Sequence, residues 1–110
     1  MSLRSFIHID DVSKATYKIL KQGIVGEVYH IAGSEIISIR NLVKLICKKM
    51  NYNYKKLVTY SSERIGKDKY YSLSNKKISS RFNWKAEISI DSGIDRCIDW
   101  VKKNLNSFSN

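Results

Sequence analysis

The sequence contains no proline, and only two cysteines and five glycines in 110 residues. The missing proline, set beside abundant Lys, Asn, Ile and Ser, reads as a compositional drift of the whole chain and assigns no mechanism. Cys47 and Cys97 sit among the apolar positions of predicted helices, without CxxC or Cys/His spacing. A zinc or redox site is therefore not expected, and both thiols are expected to be free and buried. No run approaches the roughly 20 apolar residues of a membrane span, and Met1-Ser2-Leu3-Arg4 lacks the apolar stretch of a signal peptide. These absences lead us to expect a cytoplasmic chain with no membrane partner. GxGxxG, P-loop, HExxH and GxSxG patterns are all missing. Gly23-Ile24-Val25-Gly26 is only a GxxG match of low specificity, and it reads as a helix-to-strand turn.

Acidic residues are also scarce. Twenty Lys and Arg face ten Asp and Glu, for a formal net charge of +10. Such a balance invites an anionic partner, a diphosphate or a nucleic acid, and does not choose between them. The lysines are spread along the chain at positions that suit solvated helix faces, so a lysine-rich surface is the simpler reading. One hundred and ten residues with 43% hydrophobic content allow one compact unit with a modest core, spanning residues 1–110.

The coarse pattern is α/β, or α+β if the chain stands alone, with about four helices and three to four short strands. Phe6-Ile7-His8-Ile9 reads as a strand, and Asp10-Asp11 as the cap of a helix carrying Val12, Ala15, Thr16, Ile19 and Leu20. Gly23 is expected to end that helix. Residues 27–32 read as a strand closed by Gly33. Ser38 is expected to cap a second helix with Ile39, Leu42, Val43, Ile46 and Met50 on one face. Leu57 to Tyr60 reads as a strand, 61–69 as a loop, and Tyr70 to Leu73 as a short strand. Ser74 or Asn75 is expected to cap a short helix holding Ile78 and Phe82. The last helix carries a stripe of Ile90, Ile94, Cys97, Ile98, Val101 and Leu105, with Asp91 and Lys102-Lys103 complementing its dipole. Trp84 and Trp100 are both expected to be largely buried.

Residue chemistry alone offers thin catalytic prospects. His8 and His30 on predicted strands suit structural roles better than general-base roles. The adjacent Asp10 and Asp11 suit a helix start better than an acid/base pair, because neighbouring side chains there point apart. The loop from Glu63 to Tyr71 stands out, gathering three cations, two carboxylates and Gly66. Such a loop can offer a planar arginine contact to phosphate oxygens, with Gly66 letting the backbone approach and Tyr70 or Tyr71 covering a base or sugar. An ordinary charged surface loop explains the same composition.

Five stretches in order resemble the NAD-dependent epimerase/dehydratase family of extended short-chain dehydrogenase/reductases. Arg4 to Val12 resembles the R-[DNS]-F-[IV]-[HY]-[VI]-x-D-V segment. Gly26 to Gly33 is similar to G-E-x-Y-N-I-G-G, with the helix start Ile37 to Val43 following as it does in the family. Glu63 to Tyr71 resembles D-R-P-G-H-D-x-R-Y, a loop typical of the dTDP-glucose 4,6-dehydratases. Lys77-Ile78 with Phe82-Asn83-Trp84-Lys85 resembles K-I-x-x-E-L-G-W-K-P, and Gly93-Ile94 through Trp100 resembles the G-I-x-x-T-[IV]-x-W helix.

The resemblance implies the C-terminal, substrate-binding portion of an extended Rossmann-type reductase, lacking the glycine fingerprint, the catalytic Thr/Ser, the Tyr-x-x-x-Lys pair and the acid/base carboxylates. No catalytic, cofactor-binding or metal residue is expected in this chain. NAD would be bound only in the full-length enzyme, by an N-terminal domain that serves as partner to this one, and that enzyme would be a homodimer. The resemblance implies that Arg4 and Arg64 contact the diphosphate of a nucleotide-sugar, with Glu63, Gly66 and Lys67 completing the binding loop. Departures are Glu63 for Asp, Ile65 for Pro, Lys67 for His, Lys69 for Arg, His30 for Asn, and Ile39 where thymidine-type enzymes often offer Asn. A sugar-nucleotide epimerase or decarboxylase shares the Arg4 and Trp84 motifs, and the G-x-D-x-Y core of the loop favours the dehydratase. A small basic nucleic-acid-binding module is the alternative from another class, and nucleic acid is not the expected partner.

Overall fold

A computed structural model of the chain describes residues 2–62, 65, 66 and 68–108. In chain order the elements are β1 (Leu3–Arg4), α1 (Ile9–Gln22), β2 (Ile37–Ser38), α2 (Ile39–Lys49), α3 (Tyr54–Leu57), β3 (Tyr70–Tyr71), α4 (Lys76–Phe82) and α5 (Ile90–Lys103), followed by a 3₁₀ turn at Leu105–Phe108. The strands form one small sheet in the order β2-β1-β3. β1 pairs antiparallel with β2, Leu3 opposite Ser38, and parallel with β3, Leu3 opposite Tyr70. The class is α/β, as expected.

Each long helix begins on a polar side chain that accepts an otherwise orphaned backbone N–H. Ser38 accepts from Asn41 at 3.1 Å, as expected, and Ser89 accepts from Ser92 at 3.1 Å. α1 differs from expectation, because His8 is its cap and Nδ1 accepts from the N–H of Asp10 at 3.1 Å. Asp10 and Asp11 occupy the first turn, where negative charge complements the helix dipole. Gly23 does end α1, its N–H bonding Ile19 O at 2.7 Å.

Asp11 has a further task. Its side chain is buried, and Oδ2 accepts the backbone N–H groups of Glu87 and Ile88 at 3.1 and 2.9 Å. Its backbone oxygen accepts the indole N–H of Trp84 at 3.2 Å. One residue at the start of α1 thus holds the whole turn between α4 and α5. Around it lies the core of Ala15, Ile78, Phe82 and Trp84, with Ile7, Ile19, Tyr29, Ile31 and Ala86 packed on its edge.

Three expected strands do not form ladders. Residues 6–8 run extended without strand pairing, and β1 lies earlier, at Leu3–Arg4. Segment 27–32 shows the alternation of a strand, Val28 and His30 outward and Tyr29 and Ile31 half-buried. Its ladder partner is replaced by one side chain: Asn75 accepts from the N–H of Ala32 and donates to its carbonyl, both at 2.7 Å. That use of Asn75 also explains why it stands at the start of α4 without capping it. The stretch expected as a strand at Leu57–Tyr60 instead begins with the last residue of the single turn α3, which Asn53 starts by accepting from Lys55, and continues without strand pairing. Gly33 is needed where it stands, since a β-carbon there would lie 2.0 Å from Phe6 O.

Trp84 is buried as expected, but Trp100 is 56% exposed. The inner face of α5 is supplied by Gly93, Ile94 and Ile98, and Trp100 turns outward to stack edge-on against Phe108 at 5.8 Å. Cys47 is buried and Cys97, on the same outward side as Trp100, is exposed.

Two stability predictions follow from this packing. Asp11→Ala takes the acceptor from the part-buried N–H groups of Glu87 and Ile88 and is expected to cost about 1 to 3 kcal/mol in chemical denaturation. Trp84→Ala is expected to cost about 3 to 5 kcal/mol, whereas Trp100→Ala should cost less than about 1 kcal/mol; equal losses at the two tryptophans would show the core assignment to be wrong.

Candidate functional site

β1 is two residues long, yet it ties the start of the chain to the strand that follows the charged 61–69 loop. Its pairing to β3 sets Arg4 opposite Tyr71. The N–H of Leu3 donates to Lys69 O at 2.7 Å, so the end of the 61–69 loop is fastened to the start of the chain. The Arg4 guanidinium adds to this fastening, donating to Asp68 O at 2.7 Å and to Leu3 O at 2.8 Å. A guanidinium has about five N–H donors, so donors remain free to meet an anion while the plane of the fork is held. Arg4 makes no ion pair with a carboxylate among the described residues.

Gly66, also named from the sequence, lies in the loop's turn with φ of +80°, and a β-carbon there would meet open space. Its need for glycine is therefore conformational. Tyr71, opposite Arg4, and Tyr70, opposite Leu3, are about half exposed, at 53% and 58%. Glu63, Arg64 and Lys67 lie outside the described residues. The structure thus brings together Arg4, the Asp68 carbonyl and the strand position of Tyr71.

A second group escaped the sequence reading. Arg40 lies over the Tyr60 ring at 5.6 Å and Lys44 over the Tyr54 ring at 5.5 Å, while the two tyrosine hydroxyls are 3.0 Å apart. The hydrogen bond with Tyr54 lowers the pKa of Tyr60 below the usual phenol value, and Arg40 and Lys44 lower it further. The same hydrogen bond raises that of Tyr54. The available signal was the i, i+4 spacing of Arg40 and Lys44; their aromatic partners are 10 to 20 positions away in sequence.

The remaining titratable candidates have structural surroundings. His8 is a helix cap, and Asp10 faces Arg96 at 3.5 Å while Asp11 is engaged with the 87–88 turn. The two carboxylates diverge and form no acid/base pair. Among the described residues no group of three His, Cys, Asp or Glu is placed to hold a metal ion, and no helix is long and apolar enough to cross a membrane.

A dinucleotide cofactor needs a glycine-rich turn from strand to helix so that backbone N–H groups can meet the pyrophosphate. The connections from β1 to α1 and from β3 to α4 contain no glycine, and β2 runs directly into α2. These residues do not fit NAD.

No family model matches the chain. The dTDP-glucose 4,6-dehydratase of Haemophilus influenzae is 30% identical over 115 residues, which span 96% of this chain and 34% of that protein. The solved structure of a dTDP-glucose 4,6-dehydratase from Streptomyces venezuelae, with NAD bound, superposes with a TM-score of 0.86 at 27% identity over 94% of this chain and 32% of its own. A UDP-glucose 4-epimerase from Bifidobacterium longum superposes at 0.82 with 22% identity, over 96% of this chain and 32% of its own, which shows a shared fold. The chain spans about a third of the length of the curated relatives it matches. Sequence and backbone together make the chain a homologue of part of the dTDP-glucose 4,6-dehydratases, within the NAD-dependent epimerase/dehydratase group of extended short-chain dehydrogenase/reductases.

Proposed function

We propose that the chain is the C-terminal, nucleotide-sugar-binding portion of an NAD-dependent sugar-nucleotide 4,6-dehydratase, forming one domain over residues 1–110 and not catalytic by itself. The observation that carries this reading is the Arg4 guanidinium held by the Asp68 carbonyl on a strand whose Arg4 stands opposite Tyr71. It joins an arginine strand to a loop of the D-R-P-G-H-D-x-R-Y kind. On this reading Arg4 and Arg64 grip the diphosphate, Gly66 and Lys67 shape the loop, Glu63 balances its charge, and a tyrosine of β3 covers the base or sugar. The similarity to dehydratases along nearly the whole chain supports this reading over an epimerase or decarboxylase.

In the whole enzyme the hydride acceptor and the proton-transfer residues lie in an N-terminal Rossmann portion, which is this chain's partner in a cytoplasmic homodimer. NAD would be held in that portion and would supply the hydride chemistry. The residues here act on the remote, unreacting end of the substrate. Binding energy gained at that end orients the sugar for chemistry elsewhere, while guanidinium contacts fix the diphosphate in register.

Calorimetry of the 110-residue chain with dTDP tests the site. A charge-assisted contact contributes about 1.5 to 3 kcal/mol, so Arg4→Ala and Arg64→Ala should each weaken binding by roughly ten- to a hundredfold. Arg64→Lys should recover only part, since an ammonium lacks the planar fork. Lys102→Ala removes an equal charge from α5 and should change little; equal small losses in all three alanine variants would reject the site. The same titration with NAD should give no heat of binding, and micromolar affinity would overturn the division of labour.

A further inference from the structure

Between Glu35 and Glu63 the sequence has no acidic residue, yet it carries Arg40, Lys44, Lys48, Lys49, Lys55 and Lys56. Elsewhere part of the surface mixes its charges: Lys14 pairs with Glu87, Lys77 and Arg81 with Glu27, and Arg96 with Asp10, while Lys21, Lys102 and Lys103 lie on helices that also carry aspartates. Within the acid-free interval, among the described residues, only Lys49 finds carboxylates, turning inward to Asp95 and Asp91 of α5 at 2.8 and 3.1 Å. Arg40, Lys44, Lys48, Lys55 and Lys56 are exposed and make no ion pair among the described residues.

Their placement is ordered. Arg40, Lys44 and Lys48 recur every fourth residue and so line one flank of α2, with a rise of about 6 Å between successive cations. α3 packs against α2 and adds Lys55 and Lys56. Aromatic rings are interleaved with these charges, with Tyr60 71% exposed and Tyr52 58% exposed. Arg40 and Lys44 are steadied by the faces of Tyr60 and Tyr54, and those two rings are tied through their hydroxyls. A carboxylate partner would have fixed these cations by neutralising them. An aromatic face fixes them and leaves their full charge available to an anion.

We infer that this α2–α3 face, through Arg40, Lys44, Lys48, Lys55, Tyr52 and Tyr60, binds single-stranded nucleic acid without strong sequence preference. Phosphates are met by ordered, unneutralised cations, and unstacked bases by exposed tyrosine rings. A duplex keeps its bases stacked and offers the rings nothing. An acidic peptide satisfies the charges alone and gives the rings no planar partner. The face is built on α2 and α3 and the Arg4 site on β1 and β3, and the inference does not depend on the nucleotide-sugar reading.

The test is fluorescence anisotropy of the 110-residue chain with a labelled oligothymidylate of about 20 nucleotides, longer than one typical site, across a salt series. The combined Arg40→Gln, Lys44→Gln and Lys48→Gln variant should bind at least tenfold more weakly. Its log–log salt slope should fall by about 2, the loss expected for three phosphate contacts on a single strand. A control with Lys21→Gln, Lys102→Gln and Lys103→Gln removes the same charge from α1 and α5 and should keep both affinity and slope. Tyr60→Leu removes a ring and no charge, and should weaken binding about tenfold through lost stacking. A poly-glutamate peptide of matched charge should compete poorly. Absence of binding at low salt, equal losses in the two triple variants, an unchanged Tyr60→Leu, or competition by poly-glutamate as strong as by unlabelled oligonucleotide would each overturn the inference.

Discussion

The fold hangs on the carboxylate of Asp11. It sits in the first turn of α1, is removed from water, and takes two backbone N–H groups from the turn that leads into α5. The same residue's carbonyl receives the indole of Trp84, so the aromatic centre of the core is oriented by a hydrogen bond as well as by packing. Apolar burial between α1 and α4 would hold those two helices together in several rotations. The polar contacts choose one rotation and pass it on to α5, whose first N–H is met in turn by Glu35 at 3.0 Å. Polar groups buried with partners in this way define a unique arrangement, whereas the apolar contacts contribute mainly its depth.

The helices were open to sequence reading because their signals are local. Ser38, with Ile39, Leu42, Val43 and Ile46 behind it, specifies both where α2 starts and which face turns inward. Strands were harder to read because pairing is a property of two segments. Residues 27–32 do keep the period-two alternation of side chains, but no ladder forms beside them, since Asn75 takes both polar groups of Ala32. Sequence periodicity reports which way side chains point and says nothing about where N–H groups go. Trp100 illustrates the complementary difficulty. Its position near the edge of an apolar stripe suggested burial, yet Gly93 draws the helix in along another line and leaves the indole outside.

At the site, family resemblance pointed to Arg4 and local composition to the 63–71 loop, but no local pattern showed that Arg4 meets Asp68. Arg4 and Asp68 are 64 positions apart, and a pair of two-residue strands brings them together. Tyr60 and Arg40 are likewise joined only by the folding of α3 onto α2. Charge counts detect that a chain is basic, but whether a given cation is neutralised depends on contacts between elements. Lys49 and Lys48 are adjacent in sequence and have opposite fates, one clasped by two aspartates of α5 and the other left in solvent.

The amide of Asn75 has a consequence for how molecules of this protein meet. A β-prone segment with bare backbone groups invites another chain to add a strand, and the addition can repeat without limit. At Ala32 the single amide answers one N–H and one carbonyl, as a neighbouring strand would, but it is a side chain and has no next residue with which to continue. The rung is complete and the ladder is closed. Asn75 therefore acts as a terminator at this one point, leaving Ala32 neither N–H nor carbonyl for a further strand to pair with.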